Sequence, residues 1–284
     1  MTDKKPTILV VLGPTSSGKS DLAVTLAKKL NGEVVSADSR QVYKGLDIGS
    51  GKITKKEMKG TPHHLLDVID PKKVFTVDDF RIQATKAIDD ILARGKMPIL
   101  CGGTGFYIQS IVDGITVPDV PANRKLREKL GKLSVEKLFT QLKKLDPARA
   151  KTVDAHNKIR LIRAIEIAKA LGKVPKLKPN PKYECLQFGI HFSDEKTRER
   201  ITLRLEKRIK AGMIQEAERL HKKGLSWKRM EELGLEYRYL ALYLQKKISR
   251  QEMFDQLNIA IRQYAKRQMV WFKRDERILW VEVR

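Results

Sequence analysis

The residues Gly13-Pro14-Thr15-Ser16-Ser17-Gly18-Lys19-Ser20 fit the pattern GxxxxGK[ST], follow the apolar run Ile8–Leu12 and precede a helical pattern. In that setting the glycines let the backbone curl so that its N–H groups point inward, and the helix start adds positive potential. Lys19 then supplies a mobile charge, and Ser20 can hold Mg²⁺. The ligand so predicted carries at least two linked phosphates. Mononucleotide kinases, ATPases and GTPases share this loop, so it selects a ligand class and leaves the reaction open.

A routine ATPase ends a further apolar strand in an acid linked to Mg²⁺. Here the candidate strand Pro98–Gly102 runs on into Gly103-Thr104-Gly105, and no acid ends it. A carboxylate follows a different strand, in Ser36-Ala37-Asp38-Ser39-Arg40-Gln41-Val42-Tyr43. Ligands of open parallel sheets bind at the carboxyl ends of the strands, so Asp38 is expected in the same crevice as Lys19 and Thr104. An Asp at such a place also caps turns and helices, and position alone leaves both roles open.

Arg200, Arg204 and Arg208 recur every four residues beside the apolar row Ile201, Leu205 and Ile209. Such a row can grip a phosphate or an RNA backbone, although taken alone it reads as a solvated basic edge. Arg160 and Arg163 share one helix face, and Arg262, Lys266 and Lys273 accompany Tyr264, Trp271 and Phe272 on another. His63-His64 has no acidic or cysteine partners at metal-binding spacing and reads as a pair of turn or packing residues.

The elements that would carry these groups alternate strand and helix through the first half. Ile8–Gly13, Glu33–Ala37 and Pro98–Gly102 read as strands, Ser20–Leu30 and Val77–Ala93 as helices. That order predicts an α/β fold of the P-loop type, a parallel sheet with helices on both faces. Proline clusters at Pro118/Pro121 and Pro175/Pro179/Pro181 bracket a stretch that reads as helix, including Val135–Leu145 and Lys158–Leu171. Residues 116–184 are therefore expected as a helical insertion in a core made of 1–115 and 185–284. Within the latter, 184–192 and 278–283 read as strands, 194–223 and 249–273 as long helices.

Of 284 residues, 58 are Lys or Arg and 34 Asp or Glu, a net charge of +24. Residues 1–115 hold 17 basic and 13 acidic side chains, whereas 116–284 hold 41 and 21. A net +20 on the second part suits a polyanion such as a nucleic acid, though a solubilising basic surface has the same signature. Cys101 and Cys185, with no CxxC or Cys/His cluster, argue against disulfides and structural zinc and for buried thiols in a reducing compartment. No apolar run approaches the roughly 20 residues that span a bilayer, and no leader pattern follows Lys4 and Lys5. A cytoplasmic protein without a membrane partner is expected.

The segments GPTSSGKS, SADSRQVY with KGLDIGSGK, TPHHLLDV, CGGTGFY, NKIRLIRAIEI, GLEYRYLALYL and RQYAKRQMVWFKR occur in an order that resembles the tRNA dimethylallyltransferases from about residue 7 to about 274. The resemblance implies transfer of a dimethylallyl group from dimethylallyl diphosphate to N6 of adenosine 37 in the tRNA anticodon loop, with Mg²⁺ as cofactor and diphosphate released. By position it implies Asp38 as the catalytic base and Gly13, Pro14, Thr15, Ser16, Ser17, Gly18, Lys19 and Ser20, with Arg208, as the diphosphate site. It also implies tRNA contacts at Asp38, Ser39, Arg40, Gln41, Thr104, Arg127, Ile159, Arg160, Leu161, Ile162 and Arg163. The chain is expected to act as a monomer. The competing readings are a P-loop small-molecule or nucleoside kinase and an ATP-regulated RNA-binding protein without covalent chemistry. The first leaves the basic half unexplained, and the second gives Asp38 and the Gly-Gly-Thr turn no role.

Overall fold

The computed structural model describes residues 5–282. The chain divides into two compact units, one formed by Met1–Gly114 with Asn180–Arg284 and the other by Ile115–Pro179. The second boundary falls at Pro179, so residues 180–184, expected in the insertion, belong to the sheet-bearing unit. The backbone explains this: Asn180 N–H donates to the Asp113 carbonyl at 2.8 Å, and the Tyr183 hydroxyl donates to Asp89 at 2.8 Å.

The first unit begins β1 (Thr7–Leu12), α1 (Lys19–Lys29), β2 (Gly32–Ala37), the single turn α2 (Lys55–Met58), β3 (His63–His64), α3 (Val77–Ala93), β4 (Met97–Gly102) and α4 (Gly105–Val112). The second unit is all helix: α5 (Arg124–Gly131), α6 (Val135–Leu145), α7 (Pro147–Ala150) and α8 (Lys158–Leu171). The chain then returns through β5 (Glu184–His191), α9 (Asp194–Lys210), α10 (Met213–Lys222), α11 (Trp227–Leu233), α12 (Leu235–Leu244), α13 (Arg250–Phe272) and β6 (Ile278–Glu282).

All six strands are parallel, in the order β3-β2-β4-β1-β5-β6. β1 lies at the centre and is buried along Ile8–Leu12, which is why it reads as a continuous apolar run rather than an alternating one. On one face it packs with Phe80, Ile88 and Ile111 of α3 and α4 and with Leu257 and Ile261 of α13; on the other, with Ala23 and Ala27 of α1. From β1 the chain moves outward to β2, whereas after β4 it crosses to β5 on the far side of β1. The carboxyl ends of β1, β2 and β4 therefore open onto one topological crevice.

Two sequence expectations change. His63 and His64 form a short strand paired with Val34 and Val35, not a turn. His64 Nε2 lies 2.8 Å from buried Glu33, whose carboxyl is held well below the usual range, chiefly by hydrogen bonds from Arg94. The expected single helix over 194–223 breaks at Gly212, whose φ of 99° turns the chain between α9 and α10. Val283, placed in the last strand from sequence, lies outside the described residues. Among the described residues no helix is long and apolar enough to cross a membrane. The two cysteines are free, Cys101 buried and Cys185 half-buried.

The helical unit has its own core of Leu130, Leu138, Leu142, Leu161 and Ile165. Its helices start on side-chain caps: Asn123, Ser134, Asp146 and Asn157 each accept a backbone N–H from the first turn.

Candidate active site

α1 starts differently. Its N-cap is Gly18, at φ 82°, and no side chain caps the helix. Only glycine reaches that conformation without strain, and the first-turn amides are left for a ligand at the positive end of the helix. Lys19 Nζ curls back to the Pro14 carbonyl at 3.1 Å, and Ser17 Oγ is buried with no hydrogen-bond partner among the described residues. A buried, unpaired hydroxyl inside a loop of inward amides is an acceptor and donor waiting for a polar ligand.

The loop is braced from two sides. Gln268 of α13, 6% exposed, accepts from Thr15 N–H at 2.9 Å and donates to the Gly103 carbonyl at 2.7 Å, tying the turn after β1 to the turn after β4. Arg200 of α9 donates to the Ser16 carbonyl at 2.9 Å while its guanidinium lies over the Phe192 ring, 4.3 Å from the centroid. The next two arginines of that row reach the loop after β2: Arg204 to the Gly51 carbonyl and Arg208 to the Gly49 carbonyl, both at 3.4 Å. The arginine row is thus no solvated edge. With Ser16, Lys19 and Ser20, Arg200 and Arg204 line a cavity of about 310 Å³.

These cations are packed against one another in a dry place. Burial draws the Lys19 ammonium below its ordinary value, with Arg204 and Arg208 adding repulsion. Burial and the Arg208 charge bring Arg204 down to about 10. Glu236 contacts Arg208 at 3.2 Å, and burial pushes its own titration upward; Asp38 acts on Lys19 and Arg204, and Glu57 on Arg204, without an ion pair among the described residues. Lys19, Arg204 and Arg208 repel one another in this buried place, and a diphosphate would relieve that repulsion.

Asp38 follows β2 directly. Its Oδ1 accepts from Arg40 N–H at 2.8 Å and Gln41 N–H at 3.3 Å, so it does cap a turn. Its Oδ2 has no partner among the described residues, and Asp38 lines a cleft together with Lys19, Ser20, Ser36, Gln41 and Cys101. Thr104 Oγ1 accepts Ser39 N–H at 3.0 Å, and Thr104 N–H donates to the Ala37 carbonyl at 3.2 Å. The ends of β2 and β4 are thereby stitched together, and Asp38 and Gln41 line one cleft with Lys19 and Ser20. Tyr264 stands beside it, its phenol pushed up to about 12 by burial and by the Asp38 charge.

The IPP transferase family model matches residues 41–275. The chain belongs to that family. It is 48% identical to tRNA dimethylallyltransferase 2 of Treponema denticola, over 99% of this chain and 97% of that protein. It is 44% identical to tRNA dimethylallyltransferase 1 of Syntrophus aciditrophicus, over 97% and 93%. The crystal structure of the full-length tRNA isopentenylpyrophosphate transferase from Bacillus halodurans superposes with a TM-score of 0.74 at 36% identity, covering 98% of this chain and 90% of that one. A eukaryotic dimethylallyltransferase acting on tRNA superposes at 0.82 with 27% identity, covering 98% and 74%.

The chain holds its other candidate residues in the helical unit, around a buried acid. Glu166, 2% exposed, accepts from Asn123 N–H at 2.7 Å, from Arg127 at 2.7 Å and from Arg163. Burial alone would raise its carboxyl; the two guanidiniums and the amide outweigh that and hold it at about 2. Arg127 and Arg163 are therefore fixed in direction by Glu166 and remain partly open, at 43% and 34% exposure. Ile159 is 80% exposed and Arg160 is exposed, whereas the Leu161 side chain is buried in the helical core and offers no surface to a ligand. Helical periodicity turns Leu161 inward between its exposed neighbours. Ile162 is half-buried.

The sequence reading assigned no role to Gln268 or Glu236, and it left Arg200 and Arg204 between a phosphate grip and a solvated edge. Gln268 had a signal, since it continues the buried row Ile261, Ala265 and Phe272 as a polar residue on an apolar face. The acid at Glu236 had none, because its partner Arg208 is 28 residues away.

Proposed function

We propose that the chain transfers a dimethylallyl group from dimethylallyl diphosphate to N6 of adenosine 37 in the anticodon loop of tRNA, releasing diphosphate. The observation that carries this reading is the crevice itself, where Asp38, with one unpaired carboxylate oxygen, lines one cleft with Lys19 and Ser20 of the phosphate loop, while β4 ends in Gly-Gly-Thr and no hydrolytic acid. The names carried by the relatives support it.

In this reading the loop amides, Lys19, Arg204 and Arg208 bind the diphosphate. The N6 lone pair attacks the first allyl carbon, the carbon–oxygen bond breaks, and its electron pair passes to the diphosphate. Asp38 accepts the proton that N6 gives up. Lys19 and the arginines meet charge that grows as the bond breaks, so they stabilise the transition state more than the ground state. Thr104, Ser39, Arg40 and Gln41 position an adenosine that has left its stack. Arg127, Arg163, Arg160 and Ile159 bind the tRNA.

Mg²⁺ belongs to the proposal. Ser20, Ser36 and Asp38 offer oxygens in this cleft; His63 also lines it, with its Nδ1 bonded to the Thr61 carbonyl at 2.8 Å, and burial pushes the Cys101 thiol up to about 12, so it offers no thiolate to a softer metal. Such a set fits a hard cation that keeps waters and takes substrate oxygens. Ser20 would hold it, and when bound it would neutralise the departing diphosphate. The chain is taken to act as a cytoplasmic monomer, away from membranes.

The test is incubation with tRNA, Mg²⁺ and either dimethylallyl diphosphate or ATP, followed by mass spectrometry of digested tRNA. A five-carbon addition to adenosine with little ATP turnover is expected. Unmodified adenosine beside robust ATP consumption would return the chain to the kinase reading.

A further inference from the structure

Away from the reacting atoms, one buried acid is saturated by backbone. Glu216 of α10, 4% exposed, accepts from Asp47 N–H at 3.1 Å and Ile48 N–H at 2.7 Å on one oxygen. The other oxygen accepts Gly49 N–H at 3.0 Å and the Tyr237 hydroxyl at 2.7 Å. Four donors fill a carboxylate's acceptor capacity. Three successive amides on one acid fix the path of a loop that belongs to no strand or helix.

What that loop does next is to present carbonyls to the arginines. Gly49 and Gly51 accept from Arg208 and Arg204 respectively, and Gly51 also accepts from Gln41 at 3.3 Å. The approach is close: a Cβ on Gly51 would stand 1.4 Å from an Arg208 nitrogen, and one on Gly49 2.7 Å from the Tyr237 ring. Glu236, next to Tyr237 in sequence, binds Arg208 from the other side. The guanidiniums are thus seated between the loop and α12, and Glu216 holds the loop half of that seat.

We propose that Glu216 is a positioning residue for the diphosphate-binding arginines, acting through the Asp47–Gly51 backbone; this rests on the donor-site reading above. A glutamine at this position keeps the size but turns an N–H₂ toward two donors, either the Asp47 and Ile48 amides or the Gly49 amide and the Tyr237 hydroxyl, leaving buried N–H groups unpaired and displacing the carbonyls that seat Arg204 and Arg208. The effect falls on the anion and not on the RNA.

The experiment measures inorganic diphosphate binding by calorimetry, and donor and tRNA Michaelis constants, for the wild type, Glu216→Gln, Arg208→Lys and the double variant. Thermal unfolding and circular dichroism accompany each. We expect Glu216→Gln to raise the diphosphate Kd and the donor KM about tenfold with the tRNA KM within twofold. The milder Tyr237→Phe, which keeps the ring and loses one donor to the acid, moves both in the same direction by a smaller factor and serves if Glu216→Gln does not fold. In the Arg208→Lys background the Glu216→Gln effect should shrink to twofold or less, because the seat no longer holds a fork. Additive effects, or a tRNA KM that rises as much as the donor KM, would overturn the proposal while wild-type diphosphate binding leaves the donor site standing. A wild type that binds no diphosphate would instead overturn the donor-site reading, and this proposal with it.

Discussion

Arg208 lies 3.2 Å from Glu236, and each side chain is only 13% exposed. The pair sits beside Arg204 and Lys19, Asp38 acts on Lys19, Arg204 and Glu236 from farther off, and burial pushes Glu236 toward its neutral form. Buried cations crowded together cost free energy in the empty protein, and part of that cost is returned when a polyanion enters. The glycine at position 51 lets the backbone come close enough to seat the guanidiniums.

The first prediction follows from that crowding. Lys19→Ala and Arg208→Ala should each raise the donor KM and lower kcat by about 10²–10³-fold, the range for removing one preorganised donor to developing charge. Steady-state kinetics at saturating tRNA measures both. An Arg208→Ala enzyme with wild-type donor KM and kcat would place the guanidinium outside the donor site.

A second prediction concerns acid stability of the helical unit. Glu166 titrates near 2 in the fold against an ordinary 4.5, so its protonation is the costlier in the native state. A depressed carboxyl contributes stability that is complete above the unfolded value, so the contribution is full above pH 4.5 and fades as the pH falls through 4.5 toward 2. Amide hydrogen exchange over residues 123–130 and 158–171 should quicken across that window. Glu166→Gln should exchange faster at neutral pH and lose most of this acid dependence. Exchange in the wild type that stays flat from pH 5 to pH 2 would show that the two arginines do not hold the unit together.

The third prediction separates tRNA contact from fold. Arg160 is exposed and pairs with no acid among the described residues, whereas Arg163 is committed to Glu166. Arg160→Ala should therefore weaken tRNA binding about equally across tRNA sequences and reduce the slope of log affinity against log salt by about 1, with unchanged thermal unfolding. A slope identical to wild type would remove Arg160 from the phosphate contacts.

The phosphate loop, the parallel sheet and the placement of Asp38 were legible because each depends on local pattern: glycine spacing, apolar runs and the rule that ligands gather at strand ends. The seat of Arg204 and Arg208 was not legible, because α9 must meet a loop about 150 residues earlier and an acid on α12. Periodicity shows the arginine row but not what it faces. The same limit explains Leu161, where a matching motif segment carried a buried residue along with exposed ones. The break at Gly212 was visible as a glycine, but a single glycine inside a helical pattern is tolerated at about 1 kcal/mol, so pattern alone did not require a turn.

The last prediction concerns Asp38. The exocyclic amine of adenine is a poor nucleophile because its lone pair is delocalised into the ring, so attack on an allyl carbon needs a base placed to take the departing proton. Asp38 Oδ1 is occupied by two backbone amides, which fix the carboxylate's orientation, and Oδ2 is left for the proton. A weak base suffices, since N6 becomes strongly acidic as its bond to carbon forms. Asp38→Asn can keep the turn, with its amide oxygen accepting from Arg40 and Gln41, and cannot accept the proton. General-base assistance is worth about 10²–10⁴-fold, so the chemical rate in single-turnover experiments on saturated complexes should fall by that factor, with donor and tRNA affinities changed by less than a few-fold. An Asn variant that kept most of the wild-type rate would reduce Asp38 to its turn-capping role and make a diphosphate oxygen the proton acceptor.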